Sequence, residues 1–131
     1  MSGMMSGSSE RPGAISWFEL PAGDFARAVG FYETVLGVTL RREEMGGAKL
    51  AVFPYQPPGT GGAVILRDAL RPGADGALVY LACPDGLAAS MARVVPAGGR
   101  LLGPKVDLPQ GMGSFALALD TEGNRIGLHA V

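Results

Sequence analysis

The feature that most constrains the fold is an internal repeat, because both halves of the chain show the same order of predicted elements. A shift of 61 positions places five residues of the first half on identical residues of the second: Leu20, Asp24, Ala28, Gly37 and Leu40 on Leu81, Asp85, Ala89, Gly98 and Leu101. In each half the pattern predicts one strand, one helix and three further strands, a βαβββ module. Since neither module can bury a face of its sheet alone, we expect two sheets that face each other across a cleft.

The first module, residues 14–70, is predicted from short β-branched and aromatic segments around one amphipathic segment. Apolar residues between Phe25 and Leu36 fall on one helical stripe. Asp24 is a suitable N-cap for this helix, and Gly37 is a suitable left-handed residue to end it. The predicted strands are Ala14–Leu20, Val38–Glu43, Ala48–Pro54 and Gly62–Arg67.

The second module, residues 76–131, repeats this order with a helix that Asp85 caps and Pro96 ends. Its predicted apolar stripe is Leu87, Met91, Val94 and Val95, and its predicted strands are Ala77–Ala82, Arg100–Val106, Gly113–Leu119 and Asn124–Val131. The two modules predict an α+β fold in which a curved mixed sheet encloses a cleft as an incomplete barrel. We expect one domain over residues 14–131 and a disordered tail over the small, polar residues 1–13.

The composition of the chain argues against several kinds of binding partner and metal site. The 131 residues include 11 lysines and arginines against 12 aspartates and glutamates, a net charge of −1, which argues against a nucleic-acid partner or a polybasic membrane contact. No segment is typical of a signal peptide or a membrane span, so a cytoplasmic location is expected. One cysteine, Cys83, and one histidine, His129, exclude an internal disulfide, a cysteine-clustered metal site and a multi-histidine site within a single chain.

Three motifs resemble those of the glyoxalase/bleomycin-resistance/dioxygenase (vicinal oxygen chelate) superfamily. They are Asp24-x-x-Arg27-Ala28-x-x-Phe31-Tyr32-x-x-Val35-Leu36-Gly37, Ala97-Gly98-Gly99-Arg100 and Asp120-x-Glu122-Gly123-Asn124-Arg125-Ile126-x-Leu128. The resemblance covers roughly residues 14–131 and implies the duplicated βαβββ fold and a homodimer. It does not choose a function, because this fold hosts lyases, epimerases, ring-cleaving dioxygenases, antibiotic-modifying enzymes and non-catalytic drug-binding proteins.

The resemblance also implies where a divalent ion would be held, on the first and fourth strands of each module. The corresponding positions are Trp17 and Leu78 on the first strands, and about Val64 and Gly127 on the fourth strands. None of these four side chains offers a lone pair to a cation. We therefore predict that the usual metal site is absent and that the protein needs no cofactor.

The residues two positions away on each strand are predicted to share the cleft face, since side chains alternate along a strand. The residues so selected are Glu19, Leu66, Tyr80 and His129. Leu78 is expected beside them, and Trp17 is expected to form a wall on which a ligand can stack. Tyr55 and Met112 are expected at the entrance of the cleft. An oriented pair of Glu19 and His129 could act as general acid and base. Both residues are equally compatible with a structural role.

Two functions stay open at this point. The first is a metal-free protein that binds a small organic molecule in the cleft between its modules. The second is an enzyme of the same superfamily, a lyase, isomerase or dioxygenase. Such an enzyme would be either metal-free and dependent on Glu19 and His129, or dependent on a metal with non-standard ligands. The sequence does not decide whether the protein is an enzyme.

Overall fold

The computed structural model describes residues 13–131, which form two helices and two separate β-sheets. The first module contains β1 (Trp17–Pro21), α1 (Phe25–Leu36), β2 (Arg41–Met45), β3 (Ala48–Val52) and β4 (Gly61–Leu66). The second contains β5 (Val79–Ala82), α2 (Leu87–Val94), β6 (Arg100–Leu101), β7 (Val106–Asp107), β8 (Ser114–Leu119) and β9 (Arg125–Ala130). The predicted α+β fold is confirmed. The predicted tail falls almost entirely outside the described residues, and the module boundaries stay a prediction.

The two sheets have the same topology, as the internal repeat predicts. The first has the strand order β1-β4-β3-β2, and the second has the order β5-β9-β8-β6, with β7 also paired to β8. In each sheet the first strand of the module runs parallel to the last, and the remaining pairs are antiparallel. The described strands do not close into a barrel.

Helix α1 forms where capping, periodicity and termination agree. The Asp24 carboxylate accepts a hydrogen bond from the Arg27 N–H at 3.1 Å, and Gly37 ends the helix in the left-handed conformation with φ of 68°. Its buried face consists of Ala28, Val29, Phe31, Tyr32, Val35 and Leu36. Neither α1 nor α2 has the length and apolar character needed to cross a membrane, within the part of the chain that is described.

Helix α2 begins differently from the prediction. Its N-cap is Gly86, with φ of 93° and no side-chain hydrogen bond, so the predicted cap at Asp85 is wrong. The Asp85 carboxylate instead lies 3.0 Å from a guanidinium nitrogen of Arg93, in the last turn of α2. The positive φ favours glycine at the start of the helix. Val95, predicted in the apolar stripe, lies just beyond the last residue of α2, Val94, and is 63% exposed.

The strand predicted over Arg100–Val106 is also wrong as one element. It consists of two short strands, β6 and β7, separated by residues 102–105. Pro104 lies in this gap, and a proline has no N–H to donate to a sheet ladder. The sheet edge is therefore interrupted at its middle.

One apolar core joins both modules. It contains the buried faces of α1 and α2 together with one face of each sheet, represented by Leu20 and Val64 in the first sheet and by Leu81 and Leu128 in the second. Because side chains alternate along a strand, the opposite face of each sheet is turned away from this core. A second, smaller cluster lies on that opposite face of the first sheet: Ala48, Leu50, Val52, Ala63 and Ile65, with Leu70 packed against it.

The turn between β8 and β9 connects the modules through buried polar groups. The Tyr32 hydroxyl of α1 donates a hydrogen bond to the Asp120 carboxylate at 2.5 Å. Burial and the neighbouring carboxylate raise the pKa of Tyr32 well above its ordinary value, so the hydroxyl keeps its proton and remains a donor. The Asn124 side-chain amide donates to the Pro21 carbonyl oxygen at 2.8 Å, which ties the start of β9 to the end of β1.

Glu122, in the same turn, binds the start of α1. Its side chain is 1% exposed, and it accepts hydrogen bonds from Arg27 and from the backbone N–H groups of Gly23 and Asp24 at 2.8–2.9 Å. Burial by itself raises the pKa of this carboxyl, but these donors, with the Thr121 hydroxyl, outweigh burial and lower the pKa to about 2. The carboxylate therefore stabilises the fold in its ionised form.

We expect Glu122→Gln to lower the free energy of unfolding by roughly 2 kcal/mol at pH 7, because the amide keeps at most part of the charge-assisted hydrogen bonding. The folded-state pKa is depressed, so this stabilisation is complete above about pH 5 and is lost as the pH falls towards 2. The difference between variant and parent should thus vanish near pH 2 in urea denaturation curves. Glu44→Gln, at an exposed position on β2, is the control and should change neither the free energy of unfolding nor its pH dependence. A loss of stability in Glu122→Gln that does not vary with pH would contradict the role of the ionised Glu122 carboxylate.

Candidate functional site

The pairing of the strands decides which predicted site residues share a face. Trp17 and Glu19 of β1 align with Gly61 and Ala63 of β4, on the sheet face turned away from the shared core. Val64 is fully buried on the core side, so it does not share a face with Trp17 and Glu19, whereas the sequence analysis expected this of the position at about Val64. Leu66 is two residues further along β4, so its side chain is on the same face of the sheet as Val64. Glu19 is on the other face.

In the second sheet four of the positions discussed above lie on one face. Tyr80 aligns with Gly127, and Ala82 with His129, so Leu78, Tyr80, Gly127 and His129 share one face. The ring of Tyr80 is 50% exposed at the surface. It packs edge-on against Phe115 of β8 at a centroid distance of 5.5 Å. A Cβ atom at Gly127 would overlap the Tyr80 ring, so the close approach requires glycine there.

Glu19 and His129 are not paired with each other. The Glu19 carboxylate accepts a hydrogen bond from Arg67 at 3.1 Å, as a partly exposed ion pair. His129 Nε2 lies 2.7 Å from the carbonyl oxygen of Met112. Because a carbonyl can only accept, Nε2 is the donor in this contact. Each member of the predicted acid–base pair thus has a different partner within one chain.

The positions that correspond to metal ligands do not fit a metal ion. On the fourth strand of the first module, the residue on the same face as Trp17 and Glu19 is Ala63 and not Val64. The other three positions are Trp17, Leu78 and Gly127. None of these side chains can donate a lone pair to a cation. At Gly127 the Tyr80 ring also occupies the space that a longer side chain would need. Among residues 13–131, no three His, Cys, Asp or Glu side chains come together as a metal-binding group.

A pocket of about 650 Å³ lies between the two modules. Residues 77–82, which include all of β5, form one wall. Phe18 and Phe53 of the first sheet and Leu36 and Val38 at the end of α1 also line the pocket. The lining is largely apolar, and it includes no charged side chain of the described residues. A cavity of this size and character is typical of small-molecule sites, which span roughly 300–1,000 Å³.

The pocket contains two of the predicted site residues, Leu78 and Tyr80. The other predicted residues lie outside its lining: Trp17, Glu19, Tyr55, Leu66, Met112 and His129. Trp17 and Tyr55 contact each other edge-on at a centroid distance of 6.1 Å, and both are partly exposed. The sequence reasoning missed Phe18, Phe53 and Val38, because apolar residues at such positions are equally expected in a core.

Comparison with known proteins shows which families share this fold. The profile of the Glyoxalase/Bleomycin resistance protein/Dioxygenase superfamily matches residues 14–128. No curated protein matches the sequence. Two mutants of glyoxalase I from Zea mays are similar in structure, with TM-scores of 0.63 and 0.65 and sequence identities of 22% and 23%. These matches cover 86% of this chain but 44% and 45% of the maize chains, so this chain spans less than half of their length.

Two further solved structures match over nearly their whole length. A glyoxalase/bleomycin resistance protein from Albidiferax ferrireducens has a TM-score of 0.66 at 18% identity, covering 89% of this chain and 98% of the other. A genomically encoded fosfomycin resistance protein from Listeria monocytogenes has a TM-score of 0.62 at 16% identity, covering 91% of each chain. At these identities the likeness shows a shared fold.

We expect Gly127→Ala to lower the free energy of unfolding by about 1–3 kcal/mol, because the new methyl group displaces the Tyr80 ring from β9 and Phe115. The same substitution in a Tyr80→Ala background should cost much less, since the space is then vacant. Gly30→Ala in α1, where a Cβ meets nothing within 4 Å, is the matched control and should be neutral or stabilising. Urea denaturation of the four variants measures the coupling, and equal costs in both backgrounds would show that Tyr80 does not require Gly127.

Proposed function

Because the chain belongs to the glyoxalase/bleomycin resistance protein/dioxygenase superfamily, we propose that it is a member that has lost the usual metal ligands and binds a small organic molecule between its modules. The observation that carries this proposal is the apolar pocket of about 650 Å³, which both modules line. Its wall at Leu78 and Tyr80 coincides with two residues that the sequence places at the ligand.

The lining of the pocket supports an uncharged, apolar ligand. Burial of an ionised ligand beside Phe18, Phe53 and Leu78 would cost desolvation energy, and the described lining residues offer no opposite charge in return. Two lining residues carry a hydroxyl, Thr60 and Tyr80, and the Thr60 hydroxyl already donates to the Ile15 carbonyl oxygen at 3.1 Å. Apolar contact therefore supplies most of the affinity, at about 25 cal/mol per Å² of apolar area buried.

Binding is favoured over acid–base catalysis by the contacts of the two titratable candidates. Glu19 is held by Arg67 and His129 by the Met112 carbonyl, and neither side chain lines the pocket. A general acid or base must lie within hydrogen-bond reach of the proton that it transfers. The enzymatic alternative, a lyase, isomerase or dioxygenase, would thus require another site or another chain.

The binding proposal predicts that the neutral dye Nile red gains fluorescence with the protein, because its emission rises on transfer from water to an apolar pocket. Ala77→Phe should weaken the dye at least about tenfold, since Ala77 is an exposed lining residue and the added ring fills the pocket. Ala74→Phe, at an exposed residue outside the lining, is the matched control. Equal dye affinity for both variants would place the binding elsewhere.

We also propose that the chain forms a homodimer. Large apolar side chains are exposed at and beside the outer faces of the sheets, with Trp17 38%, Tyr55 49% and Tyr80 50% accessible. Within one chain these faces turn away from the shared core and do not meet. A second copy would bring the first-module face, with Trp17 and Glu19, opposite the second-module face, with Tyr80 and His129, and so create a cleft that both chains share.

The dimer proposal predicts a mass of about twice the 13.4 kDa of one chain in sedimentation equilibrium. Trp17→Glu should weaken association at least about tenfold, because it places a charge in an apolar interface. Met45→Glu puts the same charge on an exposed apolar side chain of β2, 65% accessible, and should leave association unchanged. A monomeric parent protein would exclude the shared cleft but not the pocket, which lies within one chain.

A further inference from the structure

One wall of the pocket is the open edge of a β-sheet. Within the described chain, β5 pairs only with β9 and forms the end of the second sheet. All six residues from 77 to 82 line the pocket, as is expected when the edge of a strand, and not one of its faces, borders the space.

The backbone groups that face the pocket follow from the ladder. The Cys83 N–H donates to the His129 carbonyl at 2.9 Å, so Cys83 and, by alternation, Leu81 and Val79 point towards β9. The N–H and C=O groups of Tyr80 and Ala82 therefore point to the open edge. Successive groups of this kind are spaced at about 6.8 Å along a strand.

The other sheet edges are less suited to the addition of a neutral, apolar ligand strand. The edge strand β2 has the sequence RREEM, and charged side chains on an edge oppose the addition of a strand. The β6–β7 edge is interrupted at Pro104. On β1, the same alternation leaves Glu19 and Pro21 at the open edge. Pro21 has no N–H, and its carbonyl oxygen already accepts from Asn124, while Glu19 carries a charged side chain paired with Arg67.

We propose that the pocket selects neutral, apolar molecules that contain a peptide-like –NH–CHR–CO– unit. This inference rests on the proposed binding function and names the ligand class for the same site. The unit adds to the edge of β5 as one residue of an antiparallel strand and exchanges two hydrogen bonds with Tyr80 or Ala82. Its apolar substituent R lies in the pocket against Phe18 and Phe53.

This arrangement explains why an apolar pocket can be selective. Hydrophobic contact alone discriminates poorly between ligands of similar shape, whereas a hydrogen-bonding edge disfavours a ligand that leaves its groups unpaired. An ester in place of the amide removes the donor and sets its oxygen against a backbone carbonyl. A free carboxylate adds a charge that no described lining residue neutralises.

The test compares three probes on the full chain: N-acetyl-leucine N-methylamide, its ester analogue with oxygen in place of the leucine N–H, and N-acetyl-leucine. We expect the methylamide to bind at least about tenfold more tightly than either of the others in isothermal titration. Amide hydrogen exchange, followed by NMR, should slow at Tyr80 or Ala82 when the methylamide binds. Leu81 and Cys83, already bonded to β9, serve as internal controls and should change little.

The outcomes separate this inference from the function on which it rests. Nile red binding that Ala77→Phe abolishes, with equal affinities for the three probes, would overturn the peptide-like selectivity and leave the binding function standing. Absence of binding by the dye and by all probes would overturn both. Protection of Tyr80 and Ala82 in the free protein at dimer-forming concentrations would show that a second copy occupies the edge, which also overturns the inference.

Discussion

The contact between the β8–β9 turn and α1 holds the two modules in one arrangement. The two sheets share no ladder within the described chain, and apolar burial alone is not directional. Direction comes from short hydrogen bonds, from the buried Tyr32 to Asp120 and from the half-exposed Arg27 to the buried Glu122. Both bonds join α1 to the β8–β9 turn. Leu36 at the end of α1 lines the pocket, so a turn outside the lining helps to position one of its walls.

The Tyr80 ring and Gly127 form one packing unit of the second sheet. An aromatic ring that packs over a glycine of the neighbouring strand keeps the sheet well packed without a side chain at the glycine. The same packing excludes a carboxylate or imidazole from that position. A longer side chain there would require two changes at once, at the glycine and at the ring. The packing of the ring thus decides which side chains this position of β9 can hold.

Sequence reasoning succeeded where several local signals agreed and failed where one face could not be told from the other. Helix α1 was predictable because its cap, apolar stripe and terminal glycine all indicate the same element. The face of Val64 was not, because β4 is buried on both sides and a continuous apolar run has no alternation to read. Asp85 could not be assigned as a cap or as a partner of Arg93 from sequence, since both roles suit a carboxylate. Of the residues that line the pocket, only Leu78 and Tyr80 were predicted, because lining and core residues have the same composition.

The charged edge of β2 and the interruption between β6 and β7 limit how the sheets can grow. In the terms of polymer chemistry, the second sheet is a monofunctional unit, with an open edge at β5 and an interrupted edge at β6 and β7. A strand added to β5, whether from a ligand or from another chain, meets no second open end in the same sheet at which propagation could continue. Growth of the second sheet therefore terminates after a single step, and the exposed edge does not commit the protein to fibre formation.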